Sequence, residues 1–390
     1  MVRMDQPIRW YILVVIVCVL IGWNFWLPTF LYSTGPALYG SGGPDFNIFY
    51  TGGYLWLTHK NPYLNTGFVY PPTSLPFFGL FALFSTDMAA LVWMVTYFFV
   101  FAVALLGLAL TFEGERRTLY ISIALLLFFT SYPLLIMMNL GQSDLLVASL
   151  AVLSLASQKL KHGFWSASLL AFATLLKGPP ILLLVYFVLY RRDLAYLARF
   201  LLSTGTIIAV SLLFVPVQLY FYYLTNVVPA LSIVSSSQVN QSIGWYVWLL
   251  GMGNLSSYIS VLGVGLFASF SLYVNRRGLK LFREGPMRND AMFLMNVLVL
   301  LLFGPRTWPA NYVWIILPIA LFLTTLMMEQ VRVTYLCLVG LGTFLLNSAL
   351  SQKFLLTTLP LATIGNLVLT LSLIPIYVRP NWIIHLPVEK

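Results

Sequence analysis

Charge is the scarcest property of this sequence. Only 8% of its 390 residues are charged, whereas 60% are hydrophobic. A soluble domain carries roughly 25% charged residues, so a soluble core is excluded, and repeated apolar runs of membrane-spanning length indicate another class. The sequence predicts an all-α polytopic transmembrane helical bundle. In such a protein the net charge of +10 reports loop orientation, so no nucleic-acid partner is expected.

Cysteine and histidine are also rare, with two and three residues. Cys18 and Cys337 both lie in apolar runs without a CxxC spacing, which favours small buried hydrophobes over a disulfide or a metal site. The sequence contains no HExxH, P-loop or dinucleotide-binding glycine motif. These absences argue against hydrolytic and nucleotide-driven enzymes, and no motif requires a metal or a cofactor.

Twelve apolar stretches, several of them short, are predicted to be membrane spans. They cover residues 10–31, 88–110, 118–138, 144–157, 164–176, 181–190, 197–217, 258–274, 291–303, 313–328, 333–350 and 355–378. The arms 164–176 and 181–190 are each too short to cross about 30 Å of hydrocarbon. A broken hairpin that is covered by protein or lines a wet cavity is therefore expected there.

The basic residues give the orientation of these spans. Residues 10–31 follow Arg3 and Arg9 without a cleavage site, so we interpret them as a retained first helix whose N-terminus is cytoplasmic. With that start, 17 of the 21 Lys and Arg residues fall on the cytoplasmic side. The sequence thus predicts one multi-pass domain, 1–390, in the plasma membrane with both termini cytoplasmic. The opposite, extracytoplasmic face receives the site segments 32–87, 219–257 and 304–312.

Three of the eleven acidic residues fall on the extracytoplasmic face: Asp45, Asp87 and Asp144. Asp87 and Asp144 follow Ser or Thr at the start of predicted helices, which favours helix capping. Asp45 lies in the largest loop of that face and is our candidate general base, with a first-turn helix acid as the alternative.

The first extracytoplasmic loop is predicted to contain a helix that lies on the membrane. It opens at Pro44 and Asp45, and Gly52 and Gly53 lower its intrinsic stability. One face of this helix is formed by Phe46, Phe49, Tyr50 and Leu57.

Other polar and aromatic candidates share this face. Lys177 lies between two apolar arms, where charge is costly; it either snorkels to the interface or, with Arg306, neutralises a lipid phosphate. His59 is 14 residues from Asp45, about 21 Å along a helix, and a surface histidine is the favoured interpretation. Tyr70 belongs to a crowd of aromatics typical of interfacial belts, a few of which could stack on sugar rings.

The order of several short motifs resembles glycosyltransferase family 87, a family of the polytopic glycosyltransferase C superfamily. These motifs are GPDFNIFY at 43–50, NPY at 61–63, YPP at 70–72, GQSDLL at 141–146, LLKGPP at 175–180, NQSIGWYVW at 240–248 and GPRTWPANYVWIILP at 304–318. The resemblance implies a glycosyltransferase C fold and an inverting hexosyl transfer, with mannose as the expected sugar. It also implies a polyprenyl-phosphate donor, an extracytoplasmic site and a lipid or glycan acceptor.

The resemblance also implies roles for individual residues. Asp45 matches the family's catalytic base, and Gln142, Lys177, Asn240 and Gln241 match positions around the donor or acceptor. Many members carry a His-His pair where this chain has Ala310-Asn311. Any role of those histidines is therefore missing or has passed to Asn311 or Arg306.

Two alternatives come from other functional classes. A transporter or lipid flippase is favoured by the span count and the broken hairpin, but no internal repeat accompanies them. A structural membrane subunit leaves Asp45 and Lys177 without a role.

Overall fold

The computed structural model describes residues 42–64, 66–235, 237, 240–276, 286–329, 331–347 and 361–378. Throughout these ranges the regular secondary structure is helical, which confirms the all-α class. The predicted first span, 10–31, lies outside the described residues.

The first half of the described chain contains seven α-helices. They are α1 Pro44–Leu57, α2 Leu75–Phe81, α3 Thr86–Ala109, α4 Gly114–Phe129, α5 Tyr132–Leu140, α6 Asp144–Lys159 and α7 Gly163–Leu176. A short 3₁₀ turn, Pro72–Ser74, precedes α2. After α7 the chain continues as a 3₁₀ helix, Pro179–Leu183, and a π-helical segment, Val185–Tyr190.

The second half contains ten further α-helices. They are α8 Leu194–Ser211, α9 Val217–Tyr222, α10 Val228–Ser232, α11 Ile243–Leu249, α12 Gly253–Arg276, α13 Pro286–Phe303, α14 Ile316–Met327, α15 Val333–Asn347, α16 Leu361–Leu373 and α17 Pro375–Val378. A π-helical segment, Tyr223–Val227, joins α9 to α10, and a 3₁₀ helix, Pro309–Ile315, leads into α14.

Five described helices are long and apolar enough to cross a membrane. They lie at Thr86–Ala109, Leu194–Ser211, Gly253–Val274, Pro286–Phe303 and Pro309–Met327. Helices α4 and α5 would make a sixth if they form one span, with a bend of 58° between them. The number of twelve spans therefore stays a prediction.

Burial separates central helices from peripheral ones. Protein buries 78% of the apolar window of α13 and 89% of that in Pro309–Met327, whereas the windows of α8 and α12 are only 22% and 24% buried. Because an apolar surface left uncovered by protein is stable in lipid, α8 and α12 present their exposed faces to the bilayer. Helix α13 and the 309–327 segment form the centre.

Helix α6 defines two ends of the molecule. Its 16 residues span about 24 Å, from Asp144 at one end to Lys159 at the other. Asp144 lies at the same end as the start of α1, which contains Asp45, and the loop that contains Arg306. We name this the cavity end. Lys159 contacts Asp290 and the ring of Phe112, and we name this the Lys159 end.

The helix predicted to begin at Pro44 and Asp45 is present as α1, and its position on the membrane stays a prediction. Phe46 and Phe49 are buried, and the Phe49 ring stacks on that of Phe78 in α2, with centroids 4.8 Å apart. Tyr50 is half-buried, but Leu57, predicted on the same face, is 37% exposed. The short helix α2 thus fastens α1 across the cavity end.

Candidate functional site

A cavity of about 670 Å³ opens at the cavity end of the bundle. Five of its polar lining residues were candidates from the sequence: Asp45, Gln142, Lys177, Arg306 and Asn311. Tyr70, also a candidate, forms part of the wall. The broken hairpin lines the cavity as expected, through Gly178, Pro179, Ile181 and Leu182. Four stretches far apart in the chain therefore meet in one site.

Asp45 reaches the cavity because the start of α1 packs closely on the end of α5. Gly43 precedes α1 with φ 86°, and a Cβ there would lie 2.6 Å from the carbonyl oxygen of Asn139. This contact places Asp45, in the first turn of α1, beside Gln142, whose side-chain amide hydrogen-bonds the carboxyl.

The environment of Asp45 suits a proton acceptor. Partial burial raises the pKa of this carboxyl, while the Gln142 hydrogen bond and the charge of Lys177 oppose that rise. A raised pKa makes a carboxylate a stronger base, provided that it is still ionised at the working pH. Asp45 is half-buried and keeps access to the cavity.

Asp144 is held very differently, in the wall of the same cavity. Its side chain is 1% exposed, and its Oδ2 lies 2.7 Å from Lys177 Nζ. The indole Nε1–H of Trp314 donates to its Oδ1 at 2.8 Å. Both of its oxygens are therefore engaged by donors inside the protein, whereas Asp45 keeps access to the cavity. Between the two carboxylates, the geometry favours Asp45 as the base.

Lys177 presents its ammonium to the cavity between Asp144 and an aromatic ring. Its side chain is 19% exposed, and Nζ lies 5.9 Å from the ring centroid of Tyr70. Burial raises the pKa of Tyr70 to about 12, so its hydroxyl is neutral at pH 7. Lys177 therefore does not snorkel to the membrane interface, because its ammonium is paired inside the protein.

Arg306 and Asn311 line the cavity from the 304–311 loop. Arg306 is exposed, and its Nη2–H donates to the Ala230 carbonyl oxygen at 2.7 Å, joining this loop to α10. Asn311 accepts a hydrogen bond from the Trp308 backbone N–H at 2.6 Å and so caps the 3₁₀ helix. Ala310, at the other position of the family's histidine pair, is fully buried.

Three sequence candidates do not line the cavity. His59 is exposed two residues beyond α1, because the helix leads it away from Asp45.

Asn240 is fully buried, and its side-chain amide bonds only to backbone groups. Its Nδ2–H donates to the Ser235 and Pro305 carbonyls, and its Oδ1 accepts from the Ser242 and Thr307 N–H groups. Its place in the structure is that of a loop brace.

Gln241 is buried behind the same loop. Its backbone N–H donates to the Thr307 carbonyl at 2.7 Å, and its own carbonyl accepts from the Thr363 hydroxyl at 2.7 Å. The backbone of Gln241 thus supports the loop, and the interpretation of Asn240 and Gln241 as substrate contacts stays a prediction.

Sequence reasoning missed Asp144 and Trp314 as site residues. Asp144 was assigned to helix capping, yet the residue before α6, Ser143, makes no side-chain cap and the Asp144 carboxylate points to Lys177. A signal was present, because Lys177 is a cation among apolar residues and only three carboxylates were available on its face. Trp314 lies in the GPRTWPANYVWIILP motif at 304–318, but no sequence pattern singles it out as a partner of Asp144.

No group of three or more His, Cys, Asp or Glu side chains suited to a metal ion occurs among the described residues. The polar groups of the cavity are instead two carboxylates, two cations, two amides and aromatic donors. This set can accept one proton and stabilise one developing anion.

Comparison with known proteins gives the family of this chain. The sequence matches no curated protein. The model of glycosyltransferase family 87 matches residues 68–305, more than half of the chain. The matched range contains Tyr70, Gln142, Asp144 and Lys177, whereas Asp45 precedes it. The chain belongs to glycosyltransferase family 87.

Proposed function

We propose that this glycosyltransferase moves a hexose, with mannose as the expected sugar, from a polyprenyl-phosphate donor to a lipid or glycan acceptor. The reaction takes place on the extracytoplasmic face of the plasma membrane, in a bundle of about twelve spans of the glycosyltransferase C type. Membership of a glycosyltransferase family favours this reaction over the transporter or flippase alternative.

The proposed chemistry is a single displacement. Asp45 takes the proton of an acceptor hydroxyl while the hydroxyl oxygen forms a bond to C1 of the sugar. The bond between C1 and the phosphate oxygen breaks, and the leaving lipid phosphate keeps the electron pair. Attack from the face opposite the phosphate inverts the configuration at C1. A phosphate is already a good leaving group, so the proposal needs no cofactor.

One observation carries the proposal: a single cavity holds both a carboxyl suited to accept a proton and a fixed cation. Asp45 is hydrogen-bonded by Gln142, and Lys177 is paired with Asp144. All four residues line the same cavity. A negative charge that develops on the departing phosphate is stabilised by a nearby ammonium in a site with restricted water. The apolar residues Ile181, Leu182 and Leu231 also line the cavity and suit a prenyl chain.

Arg306 supplies a second cation in this proposal. Its guanidinium has five N–H donors, one of which bonds Ala230, and it lines the same cavity as Lys177. Since Asn311 is engaged as a helix cap and Ala310 is apolar, any role of the missing histidine pair passes to Arg306 in this proposal.

The decisive experiment is transfer of radiolabel from polyprenyl-phosphate mannose to membrane lipids by the purified protein in liposomes. We expect the native protein to form a labelled product and the Asp45→Asn variant to lose roughly 100-fold to 10,000-fold in rate, because an amide cannot accept the proton.

Asp87→Asn is the matched control. Asp87 is an exposed acid in the first turn of α3, outside the cavity lining, and its loss should leave transfer unchanged. Native-like transfer by Asp45→Asn would remove Asp45 as the base. If mannose gives no product, other polyprenyl-linked sugars are tested next, and failure of all of them contradicts the proposed function.

A further inference from the structure

Two buried ion pairs of similar construction lie at the two ends of α6. At the cavity end Asp144 pairs with Lys177, with N–O distance 2.7 Å; at the Lys159 end Asp290 pairs with Lys159, at 2.6 Å. Both carboxylates are 1% exposed, and the two lysine side chains are 19% and 24% exposed. Each pair therefore buries one charge almost completely and leaves the other partly accessible.

Each carboxylate also has a second donor on its other oxygen. Trp314 Nε1–H donates to Asp144 Oδ1 at 2.8 Å, and the Thr325 hydroxyl donates to Asp290 Oδ2 at 2.8 Å. A carboxylate held by two donors on different oxygens has a fixed plane, and this plane fixes the direction of its lysine partner. Both triads share this property.

Only the first triad faces the cavity. Asp144, Lys177 and Trp314 all line it, whereas Lys159, Asp290 and Thr325 do not. The two triads match in burial and bonding, but the second lies away from the cavity, so a role in structural stability is enough to explain it. The first has an additional consequence, since its ammonium is presented to the space that a substrate would enter.

We propose that Asp144 is a positioning residue that holds the Lys177 ammonium against the cavity wall, in the direction set by Trp314. This inference rests on the proposed function, in which Lys177 stabilises the phosphate of the donor. A lysine has a flexible four-carbon stem, and ordering it costs rotamer freedom. Asp144 supplies that order in the protein before the donor arrives, so the phosphate meets a cation already in place.

The substitution Asp144→Asn tests this role with little change in shape. The carboxylate accepts from Lys177 on one oxygen and from Trp314 on the other, but an asparagine has a single acceptor oxygen. The amide can therefore satisfy Lys177 or Trp314 but not both, and its NH₂ group opposes the remaining donor. Lys177 then either loses its acceptor or keeps an acceptor whose plane Trp314 no longer holds, so its direction is no longer fixed in either case.

The experiment is a double-mutant cycle on donor saturation kinetics with Asp144→Asn, Lys177→Met and the double variant in liposomes. Lys177→Met should lower kcat/KM for the donor by about 100-fold, as loss of one charge-stabilising donor does. Asp144→Asn should lower it by about tenfold on its own. The double variant should be no worse than Lys177→Met, because Asp144 acts through Lys177.

Asp290→Asn is the matched control for a purely structural effect. It breaks the equivalent triad at the other end, so it should lower thermal stability while leaving kcat and KM per folded protein unchanged. Losses from Asp144→Asn and Lys177→Met that multiply in the double variant would overturn the proposal. So would a kinetic loss in Asp290→Asn equal to that in Asp144→Asn.

A second readout does not depend on sugar transfer. Polyprenyl monophosphate without a sugar should raise the melting temperature of the native protein and of Asp290→Asn, but only weakly that of Asp144→Asn. A full shift in Asp144→Asn together with no shift in Lys177→Met would overturn the positioning role. A native protein that shows the shift but transfers no sugar would contradict the proposed function and leave the positioning role supported.

Trp314→Phe provides a variant if Asp144→Asn does not fold. It keeps an aromatic ring but removes the N–H that donates to Asp144. We expect a several-fold loss of donor kcat/KM that disappears in the Lys177→Met background. An undiminished kcat/KM in Trp314→Phe would show that the carboxylate needs no orientation and would overturn the proposal.

Discussion

Asp45 and Gln142 line the cavity side by side, and opposing influences set the pKa of the Asp45 carboxyl. Burial raises the pKa of Asp45, and the amide of Gln142 lowers it by stabilising the carboxylate. The group therefore titrates above the ordinary aspartate range while one hydrogen bond limits the increase. Transfer requires the ionised form of a base, so its rate must fall as the pH falls through this pKa.

We predict that Gln142→Leu moves the acid limb of the pH–rate profile to higher pH. The substitution removes the hydrogen bond that favours the carboxylate and leaves the burial that opposes it, so the pKa of Asp45 rises further. The measurement is kcat/KM for transfer as a function of pH.

Gln158→Leu is the control for this prediction, because Gln158 also lies at one end of the bundle and donates to an aspartate, Asp193, outside the cavity. Its profile should match that of the native protein. An unchanged acid limb in Gln142→Leu would show that a group other than Asp45 controls the profile.

Asn240 is a residue of a second kind, because its side chain bonds only to backbone groups of other residues. Its four hydrogen bonds join residues 235, 242, 305 and 307. We predict that Asn240→Ala lowers the free energy of unfolding by about 1–3 kcal/mol for each buried backbone group left unpaired. Thermal unfolding in detergent measures the loss.

Asn226→Ala is its control, since Asn226 is exposed and bonds within its own helical segment. That change should be within about 0.5 kcal/mol of neutral. Equal effects of the two substitutions would contradict the brace that the structure assigns to Asn240.

At the scale of elements, local sequence signals located most helices. Pro44 and Asp45 predicted the start of α1, and the helix begins there because proline has a suitable φ and lacks the N–H that a first turn leaves unpaired. The break after Leu176 was also expected from Gly178 and the prolines that follow. These signals depend on a few neighbouring residues, so the sequence contains them completely.

The partners of side chains were harder to predict than the helices. Asp144 and Lys177 are 33 residues apart and Asp144 and Trp314 are 170 residues apart, so no local pattern joins them. The roles of Asn240 and Gln241 are hard to predict for the same reason, because polar residues in a loop suit both binding and bracing. Only the packing of α6, α7 and the 309–315 segment brings Asp144, Lys177 and Trp314 together.

The contact between the start of α1 and the end of α5 gives a prediction at this scale. Gly43→Ala places a Cβ only 2.6 Å from the carbonyl oxygen of Asn139. That oxygen belongs to the backbone, so it cannot move aside without a shift of the chain. The start of α1 must shift, and Asp45 with it. A displacement of about 1 Å costs on the order of 100-fold in rate, which transfer kinetics would show.

Gly114→Ala is the matched control, because Gly114 also has a positive φ, 52°, but has no atom within 4 Å of an added Cβ. It should cost about 1–2 kcal/mol of stability for the left-handed backbone and leave transfer per folded protein unchanged. Native turnover in Gly43→Ala would show that this contact does not position Asp45.

At the scale of the whole molecule, charge and the cavity divide between the two ends. At the Lys159 end lie four basic residues: Arg117, Lys159, Arg199 and Arg288. The cavity at the other end is lined by Asp45, Lys177 and Arg306. Loops rich in Lys and Arg stay in the cytoplasm. The division therefore predicts that the cavity opens on the extracytoplasmic side, where a lipid-linked sugar would meet its acceptor.

Thiol labelling of intact cells tests this orientation. In a background with Cys18 and Cys337 replaced by Ala, one new cysteine is introduced at Asn226, beside the cavity, or at Glu115, at the start of α4; both positions are exposed. We expect a membrane-impermeant maleimide to label Asn226→Cys in intact cells and Glu115→Cys only after permeabilisation. The reverse pattern would put the cavity in the cytoplasm and contradict the proposed donor geometry. Because the two sites differ in which end they occupy and not in exposure, the comparison isolates orientation from accessibility.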